Sequence, residues 1–248
     1  MVKIYFKCFY GKSRMLRKDL TKVLRLKILR SIIRSLQFMY SKMQKEVFID
    51  GERYNVLKNV FNPKLFCSSE LMVEAIKRIG ISSNEMVLDM GTGSGILAIT
   101  LAKQGARVIA IDINRDAVIC TKINAKNHRV DIDIICSDLF SCLRKKKLFD
   151  LIVFNIPYLN LKPRDVFDLA ICDYRKEILQ RFLRESHDYL KDYGKILLSY
   201  STLSDTDEVE RMFRENGWRF ERFMQRDISR FESIIVYRLE KNNEIISP

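Results

Sequence analysis

From about residue 86 onward, short apolar runs alternate with segments in which apolar residues recur every three or four positions. Short runs are typical of buried strands, and the longer period is typical of helices. The predicted strands are Met86–Asp89, Val108–Asp112, Asp131–Cys136, Leu151–Phe154, Lys195–Tyr200, Phe220–Gln225 and Ser233–Leu239. The predicted helices are Gly95–Lys103, Arg115–Asn127, Arg175–Leu190 and Asp207–Asn216. This alternation predicts an α/β fold with a parallel sheet between helices, closed by an antiparallel last pair of strands.

A smaller unit precedes this region. The runs Val47–Ile49 and Tyr54–Val56 flank the dipeptide Asp50-Gly51, a pattern that predicts a hairpin. Ser68 or Ser69 can cap a helix that runs to Ile79 and ends at Gly80.

The N-terminal segment predicts an amphipathic helix over Leu26–Met43. Its apolar face comprises Leu26, Ile28, Leu29, Ile32, Ile33, Leu36, Met39, Tyr40 and Met43, and its polar face comprises Lys27, Arg30, Arg34 and Lys42. Leu16, Leu20, Val23 and Leu24 point in another direction on the same helical wheel. We therefore expect a break near Leu24–Arg25, with the apolar face packed on the main domain. A membrane surface is the alternative partner for that face.

Positive charge is concentrated in the same segment. Residues 1–46 carry 13 Lys and Arg against two acidic residues, whereas residues 47–248 carry 31 against 29. The sequence therefore predicts a basic helical extension over residues 1–46 and a nearly neutral domain over residues 47–248. A basic segment attracts polyanions, so residues 12–45 are a candidate RNA contact, although a solvated helix face has the same composition.

The composition excludes several classes of protein. A hydrophobic content of 47% is too high for a disordered chain. The six cysteines form no C-x-x-C and there are only two histidines, which disfavours a disulfide scaffold or a metal centre. No apolar stretch is long enough to span a membrane, and the first 30 residues do not resemble a secretory signal. We expect a reducing, cytoplasmic environment.

The segment Val87–Gly95 combines a buried strand with a glycine-rich loop that opens a helix. Glycines in such a loop allow positive φ and close approach of a ligand. A dinucleotide fingerprint would need its third glycine at Ile96, and no lysine follows for a phosphate-binding loop. The observed spacing of Asp89, Gly91, Gly93 and Gly95 resembles the first motif of class I S-adenosylmethionine-dependent methyltransferases.

This resemblance extends over roughly residues 60–240 and implies a Rossmann-like seven-stranded sheet with an antiparallel last strand. It also implies S-adenosylmethionine as the cofactor, with Asp112 accepting the ribose hydroxyls, Ile113 packing on adenine and Asp138 reading the adenine amino group. The implied cofactor-binding residues are Phe66, Asp89, Gly91, Thr92, Gly93, Gly95, Asp112, Ile113, Asp138, Leu139 and Asn155.

The turn Asn155-Ile156-Pro157-Tyr158 follows the fourth strand of the predicted sheet. It resembles the Asn-Pro-Pro-Tyr motif of methyltransferases that act on a planar nitrogen, and departs from it at Ile156. The Asn155 side-chain oxygen and the Ile156 carbonyl can each accept an N–H bond, which favours positive charge on that nitrogen as the methyl group arrives. Pro157 stiffens the turn and Tyr158 can stack on a flat target. No cysteine lies beside Pro157, which disfavours cytosine-C5 methylation.

The residues leave two classes of substrate open for this planar nitrogen. Asp168-Leu169-Ala170 and Phe231-Glu232-Ser233 are similar to segments of the release-factor glutamine methyltransferases, although Ile171-Cys172-Asp173 replaces the Asp-Gly-Gly of that family. Residues 61–66 are similar to the segment that precedes the first motif in these enzymes and in small-domain RNA methyltransferases, where it closes over the cofactor. These resemblances imply N-methylation of a protein glutamine in a translation factor or, alternatively, of a tRNA or rRNA base. A non-catalytic RNA-binding subunit and an aminopropyltransferase are further alternatives, which the intact motifs disfavour.

Overall fold

The computed structural model describes residues 23–42, 46–65, 67–229 and 232–242. The strands are β1 (Glu46–Ile49), β2 (Glu52–Asn55), β3 (Met86–Met90), β4 (Arg107–Asp112), β5 (Asp133–Cys136), β6 (Phe149–Asn155), β7 (Leu190–Ser201), β8 (Trp218–Ser229) and β9 (Glu232–Lys241). The helices are α1 (residues 23–42), α2 (Ser68–Ile79), α3 (Ile96–Lys103), α4 (Arg115–His128), α5 (Glu177–Glu185) and α6 (Thr206–Glu215).

Seven strands form one sheet in the order β5-β4-β3-β6-β7-β9-β8, and β1 and β2 form a separate hairpin. β3 pairs in parallel with β4 and β6, whereas β9 is antiparallel to both of its neighbours. The predicted α/β fold with an antiparallel last strand is therefore confirmed. The chain moves from β3 first toward β4 and then back to β6, and such a reversal opens a crevice at the carboxyl ends of the strands.

Helices cover both faces of the sheet, as predicted. On one face the core includes Ile76 of α2 and Ile99 of α3, which pack against Val153 of β6. On the other face it includes Phe182 of α5 and Phe213 of α6. Both faces of the central strands are thus buried, which accounts for their continuous apolar runs.

The helix predicted over Arg175–Leu190 is shorter in the structure. Lys176 has a φ of 56°, so the α-helical backbone begins only after it, at Glu177. The Asp173 carboxylate accepts hydrogen bonds from the backbone N–H groups of Ile178 and Leu179, which fixes this start. A 3₁₀ turn over Ser186–Asp188 ends the helix, and β7 then begins at Leu190 rather than at Lys195.

The start of α2 also differs from the expected cap. Cys67 is the N-cap residue and makes no side-chain hydrogen bond there. Ser68 and Ser69 are buried inside the first turn, and their hydroxyls accept hydrogen bonds from another part of the chain instead. The predicted hairpin is confirmed, with Asp50 and Gly51 at positive φ in its turn.

Residues 23–42 are helical throughout, so the break predicted near Leu24–Arg25 is wrong. The predicted packing of this helix on the domain is confirmed, and Leu26, Leu29 and Ile33 of the predicted apolar face pack there. The prediction is wrong for the other described members of that face, which are exposed, and for Arg30 on the predicted polar face, which is buried. The buried residues are Leu26, Arg30, Ile33 and Gln37. The exposed apolar residues are Val23, Leu24, Ile28, Ile32, Leu36, Phe38, Met39 and Tyr40. The helix is rotated because the surface beneath it presents a buried carboxylate and backbone carbonyls, which need polar partners.

Met43 and the upstream residues Leu16 and Leu20 lie outside the described residues. Within the described parts of the chain, none of the helices combines the length and apolar character needed to span a membrane.

Candidate active site

A cavity of about 300 Å³ lies where the carboxyl ends of β3, β4 and β6 meet. The predicted site residues that line it are Gly91, Thr92, Gly93, Asp112, Ile113, Asp138, Leu139, Asn155, Ile156, Pro157 and Tyr158. Asp89 and Gly95 lie behind this wall, and Phe66 lies outside the described residues. The glycine loop and the turn after Asn155 therefore line the same cavity.

The glycine loop is shaped by close packing on its outer side. A Cβ on Gly91 would lie 2.9 Å from the Phe154 ring, and one on Gly95 would lie 2.8 Å from the Thr121 side chain. Both residues also have positive φ, so each needs to be glycine for two reasons. Gly93 differs, because a Cβ there would meet only the Gly91 carbonyl oxygen at 3.9 Å. Gly93 is therefore the position where the loop stays open toward a ligand.

Asp89 connects β3 to the helix that follows the loop. Its side chain is fully buried, and Oδ2 accepts a hydrogen bond of 3.1 Å from the Ala98 backbone N–H in the first turn of α3. Burial and, to a lesser degree, the nearby Asp112 carboxylate together raise the pKa of Asp89 to about 7. Asp89 therefore links β3 to α3 and supports the glycine loop without lining the cavity.

Asp112 ends β4 on the cavity wall. Its Oδ2 accepts a hydrogen bond from the Gly93 N–H at 2.9 Å and its Oδ1 accepts one from the Asn114 N–H at 2.8 Å. Burial raises the pKa of this carboxyl group. Each oxygen keeps a second lone pair, so the side chain can still accept two hydroxyls of a sugar. Ile113 beside it is half exposed and offers an apolar surface to a planar ring.

Asp138 forms the far end of the wall. It is exposed, and Oδ2 lies 3.0 Å from Nη1 of Arg181 on α5. Both side chains line the cavity. No local pattern indicated Arg181, because its partner Asp138 lies 43 positions earlier in the chain.

The Asn155 amide is fixed by three hydroxyl groups. Ser199 on β7 donates a hydrogen bond to Oδ1, and Nδ2 donates to Ser68 Oγ at 3.2 Å and to Ser69 Oγ at 3.4 Å. The first turn of α2 and the neighbouring strand together orient this side chain on the cavity wall. The three serines were not predicted as site residues, although the adjacent pair at the start of a helix was a visible signal.

The rest of the turn is held by burial. The Ile156 side chain is 1% exposed and packs in the core, so it anchors the turn to the domain. Its carbonyl accepts no hydrogen bond from the described residues. Burial raises the pKa of Tyr158, and the Glu232 carboxylate raises it further, which keeps the phenol neutral. Two oxygen acceptors and a neutral aromatic ring thus stand in sequence beside the cavity.

The cavity wall also includes segments outside both motifs. Ile33 of α1 contributes, as do Phe61 and Pro63 before α2 and Leu169 and Ile171 after β6. Of these, residues 61–66 were expected to lie near the cofactor, whereas Ile33 was expected only to pack on the domain.

Comparison with known proteins decides the family. The family model described as methyltransferase small domain matches residues 54–216, which is more than half of the chain. The chain belongs to this methyltransferase family. A protein of Methanocaldococcus jannaschii named as a candidate protein N5-glutamine methyltransferase is 33% identical over 172 residues, covering 66% of this chain and 86% of the relative.

Two further matches extend the comparison. The release factor glutamine methyltransferase of Streptococcus pneumoniae is 34% identical over 143 residues, covering 52% of this chain and 50% of that enzyme. This chain thus spans about half the length of that relative. The solved structure of a T. thermophilus 16S rRNA guanine-N2 methyltransferase with S-adenosylmethionine and guanosine has a TM-score of 0.62 at 21% identity, covering 79% of this chain and 50% of that one. At this identity the likeness shows the fold.

The residues of this methyltransferase fit S-adenosylmethionine. The loop is open at Gly93, Asp112 can accept two hydroxyls, and Ile113 offers an apolar face. Thr92 also lines the cavity, and its side chain interacts with the Asp89 carboxylate beneath the loop.

Proposed function

We propose that this methyltransferase methylates the side-chain amide nitrogen of a glutamine in a cytoplasmic translation termination factor. The relatives named as N5-glutamine and release factor glutamine methyltransferases support this substrate class. The observation that carries the proposal is the pair of oxygen acceptors formed by the oriented Asn155 amide and the Ile156 carbonyl.

The chemistry requires such a pair. The lone pair of an amide nitrogen is delocalised, so the nitrogen is a poor nucleophile. Two oxygens that accept its two N–H bonds hold the NH₂ group in place and stabilise the positive charge that develops on nitrogen during transfer. The Asn155 Oδ1 has a second lone pair beyond the one that Ser199 uses, and the Ile156 carbonyl is available.

Each remaining residue has a role in positioning. S-adenosylmethionine supplies an electrophilic methyl group when bound. Gly93 and Asp112 would hold it at the ends of β3 and β4, and Tyr158 would stack on the flat amide. Because both partners are held in place, in-line transfer needs no strong general base, and the proton can leave afterwards.

The experiment is transfer of a tritiated methyl group from S-adenosylmethionine into cell extract, followed by separate digestion with nuclease and protease. The proposal expects label that resists nuclease, is released by protease and migrates with a termination factor. Label that only nuclease releases would overturn the protein substrate.

An RNA base is the second candidate, and the charge distribution favours it. Residues 1–46 carry a net charge of +11, and RNA contact through residues 12–45 would use that charge. Within the described part of α1, however, Arg30 and Arg34 already pair with acidic residues of the domain. Their charge is therefore less available to RNA than the sequence alone indicates.

A further inference from the structure

α1 places polar side chains on the face that it buries. Arg30, Ile33, Arg34 and Gln37 recur at helical spacing, and Arg30 and Gln37 are nearly inaccessible to solvent. Ile33 between them is 3% exposed and lines the cavity. On this face, Ile33 therefore lines the active site, whereas the polar side chains contact other segments of the chain.

The two arginines contact the segment that follows the Asn155 turn, here called the acceptor rim (residues 161–171). Arg30 Nη1 donates to the Lys162 carbonyl at 3.0 Å. Arg34 forms two hydrogen bonds with Asp165, at 2.9 and 2.7 Å, and a third with Asp168 at 2.7 Å. The Arg34 guanidinium lowers the pKa of Asp165 to about 2, so this pair stays charged at all physiological pH values.

Asp168 is the centre of these contacts. Its side chain is fully buried, and it also accepts hydrogen bonds from the backbone N–H and the guanidinium of Arg164. A buried carboxylate needs such partners, so removal of the Arg34 guanidinium weakens its compensation and leaves it to Arg30 and Arg164. The neighbouring residues Leu169 and Ile171 line the cavity, which means that the position of Asp168 sets the position of the cavity wall.

Gln37 contacts a second segment of the cavity wall, here called the cofactor rim (residues 60–63). Its Nε2 donates to the Val60 carbonyl at 2.8 Å, and its Oε1 accepts from the Asn62 N–H at 3.0 Å. Phe61 and Pro63 of this rim line the cavity. One turn of α1 thus contacts both rims, which also pack against each other through Phe61 and Phe167.

We propose that α1 positions the acceptor rim relative to the cofactor rim, with Arg34 as a positioning residue for the acceptor glutamine and Gln37 as one for S-adenosylmethionine. This inference rests on the proposed function for the identity of the acceptor. It assigns to the N-terminal helix a role in the geometry of the site itself. Loss of Arg34 then impairs the acceptor side, and loss of Gln37 impairs the side that holds S-adenosylmethionine.

The test compares Arg34→Met, Arg34→Lys and Gln37→Leu with Arg25→Met, a matched control because Arg25 is exposed on the same helix. With S-adenosylmethionine and the recombinant termination factor of the same organism, Arg34→Met should raise KM for the factor at least tenfold and leave the Kd for S-adenosylmethionine within twofold. Arg34→Lys keeps the charge and should recover part of that loss. Gln37→Leu should raise the Kd for S-adenosylmethionine, and Arg25→Met should change neither.

Hydrogen exchange separates this inference from the proposed function, because it needs no acceptor. The amides of Ile171 and Cys172 bond to the Asp168 carbonyl, so Arg34→Met should raise their exchange about tenfold, and Arg25→Met should not. If the wild-type protein methylates no termination factor, the proposed function fails and exchange alone decides the inference. Unchanged exchange in Arg34→Met, or an equal loss of kcat with no effect on KM, would overturn it.

Discussion

The hydroxyl of Ser199 on β7 donates a hydrogen bond to the side-chain oxygen of Asn155 at the end of β6. Because Ser68 and Ser69 accept from the other end of the amide, its orientation is determined by the fold before any substrate arrives. Preorganised acceptors of this kind need not reorganise during the reaction, which is the main way that a site stabilises developing charge. Under the proposed function, the pairing of Ser199 with Asn155 would hold the acceptor oxygen in place for transfer.

Ser199→Ala should lower kcat about fivefold, because the Asn155 amide loses the hydrogen bond that holds its acceptor oxygen, and one such bond is worth about 1 kcal/mol. The Kd for S-adenosylmethionine should stay within twofold. Steady-state kinetics and calorimetry measure the two quantities. Ser82→Ala is the control, since Ser82 is exposed before the amino end of β3. An unchanged kcat in Ser199→Ala would mean that the pairing does not matter for transfer.

Gly93→Ala should weaken the binding of S-adenosylmethionine at least tenfold, because the added methyl group meets little protein and enters the open side of the loop. The free energy of unfolding should fall by only about 1 kcal/mol, the cost of alanine at positive φ. Calorimetry and urea unfolding measure the two effects. Gly51→Ala is the control, since Gly51 has a φ of 77° in the exposed hairpin turn. Wild-type affinity in Gly93→Ala would place the cofactor elsewhere.

Asp89→Asn should change how stability depends on pH. The folded-state pKa of Asp89 is raised to about 7, so the folded protein keeps a proton that the unfolded chain loses at lower pH. The stabilising effect of that proton is present at low pH and is lost as the pH rises from about 4 to 7. Asparagine cannot ionise, so the variant should gain more than about 1 kcal/mol relative to the wild type between pH 4.5 and pH 8. If urea unfolding showed the same pH dependence of the free energy of unfolding for the variant and the wild type, the ionisation assigned to Asp89 would be contradicted.

Ile156→Ala should lower the free energy of unfolding by about 2–4 kcal/mol, because it removes a fully buried side chain from the core. The conservative change Ile156→Val should cost about 1 kcal/mol and keep methyl transfer near the wild-type rate. Thermal unfolding and the transfer assay measure these effects. An Ile156→Ala protein as stable as the wild type would show that the turn is not anchored through this side chain.

Much of the sheet could be predicted from the sequence, because its central strands are buried on both faces and read as short apolar runs between turn residues. The glycine loop was equally visible, since close packing at Gly91 and Gly95 leaves no alternative residue. Motif spacing therefore located both halves of the cavity. The same reasoning did not show that Asp89 lies behind the loop rather than on the cavity wall.

The orientation of α1 could not be predicted from its own residues. A helical wheel places arginine on the solvent side, yet Arg30 and Arg34 face Asp168, which follows more than 130 residues later in the chain. The contacts of the serines with Asn155 could not be predicted for the same reason, because Ser199 and Ser68 reach Asn155 from different elements. Contacts between distant segments determined these features, and no local pattern encodes them.

The most direct test of the account is methyl transfer by Asn155→Ala, measured on the termination factor with tritiated S-adenosylmethionine and located by mass spectrometry. We expect the wild-type protein to label one glutamine side chain. The variant should lose at least a hundredfold in rate, about 2.7 kcal/mol by transition-state theory, and keep a Kd for S-adenosylmethionine within a few-fold of wild type. Methyl transfer at the wild-type rate by Asn155→Ala would contradict the claim that this side chain holds the accepting nitrogen.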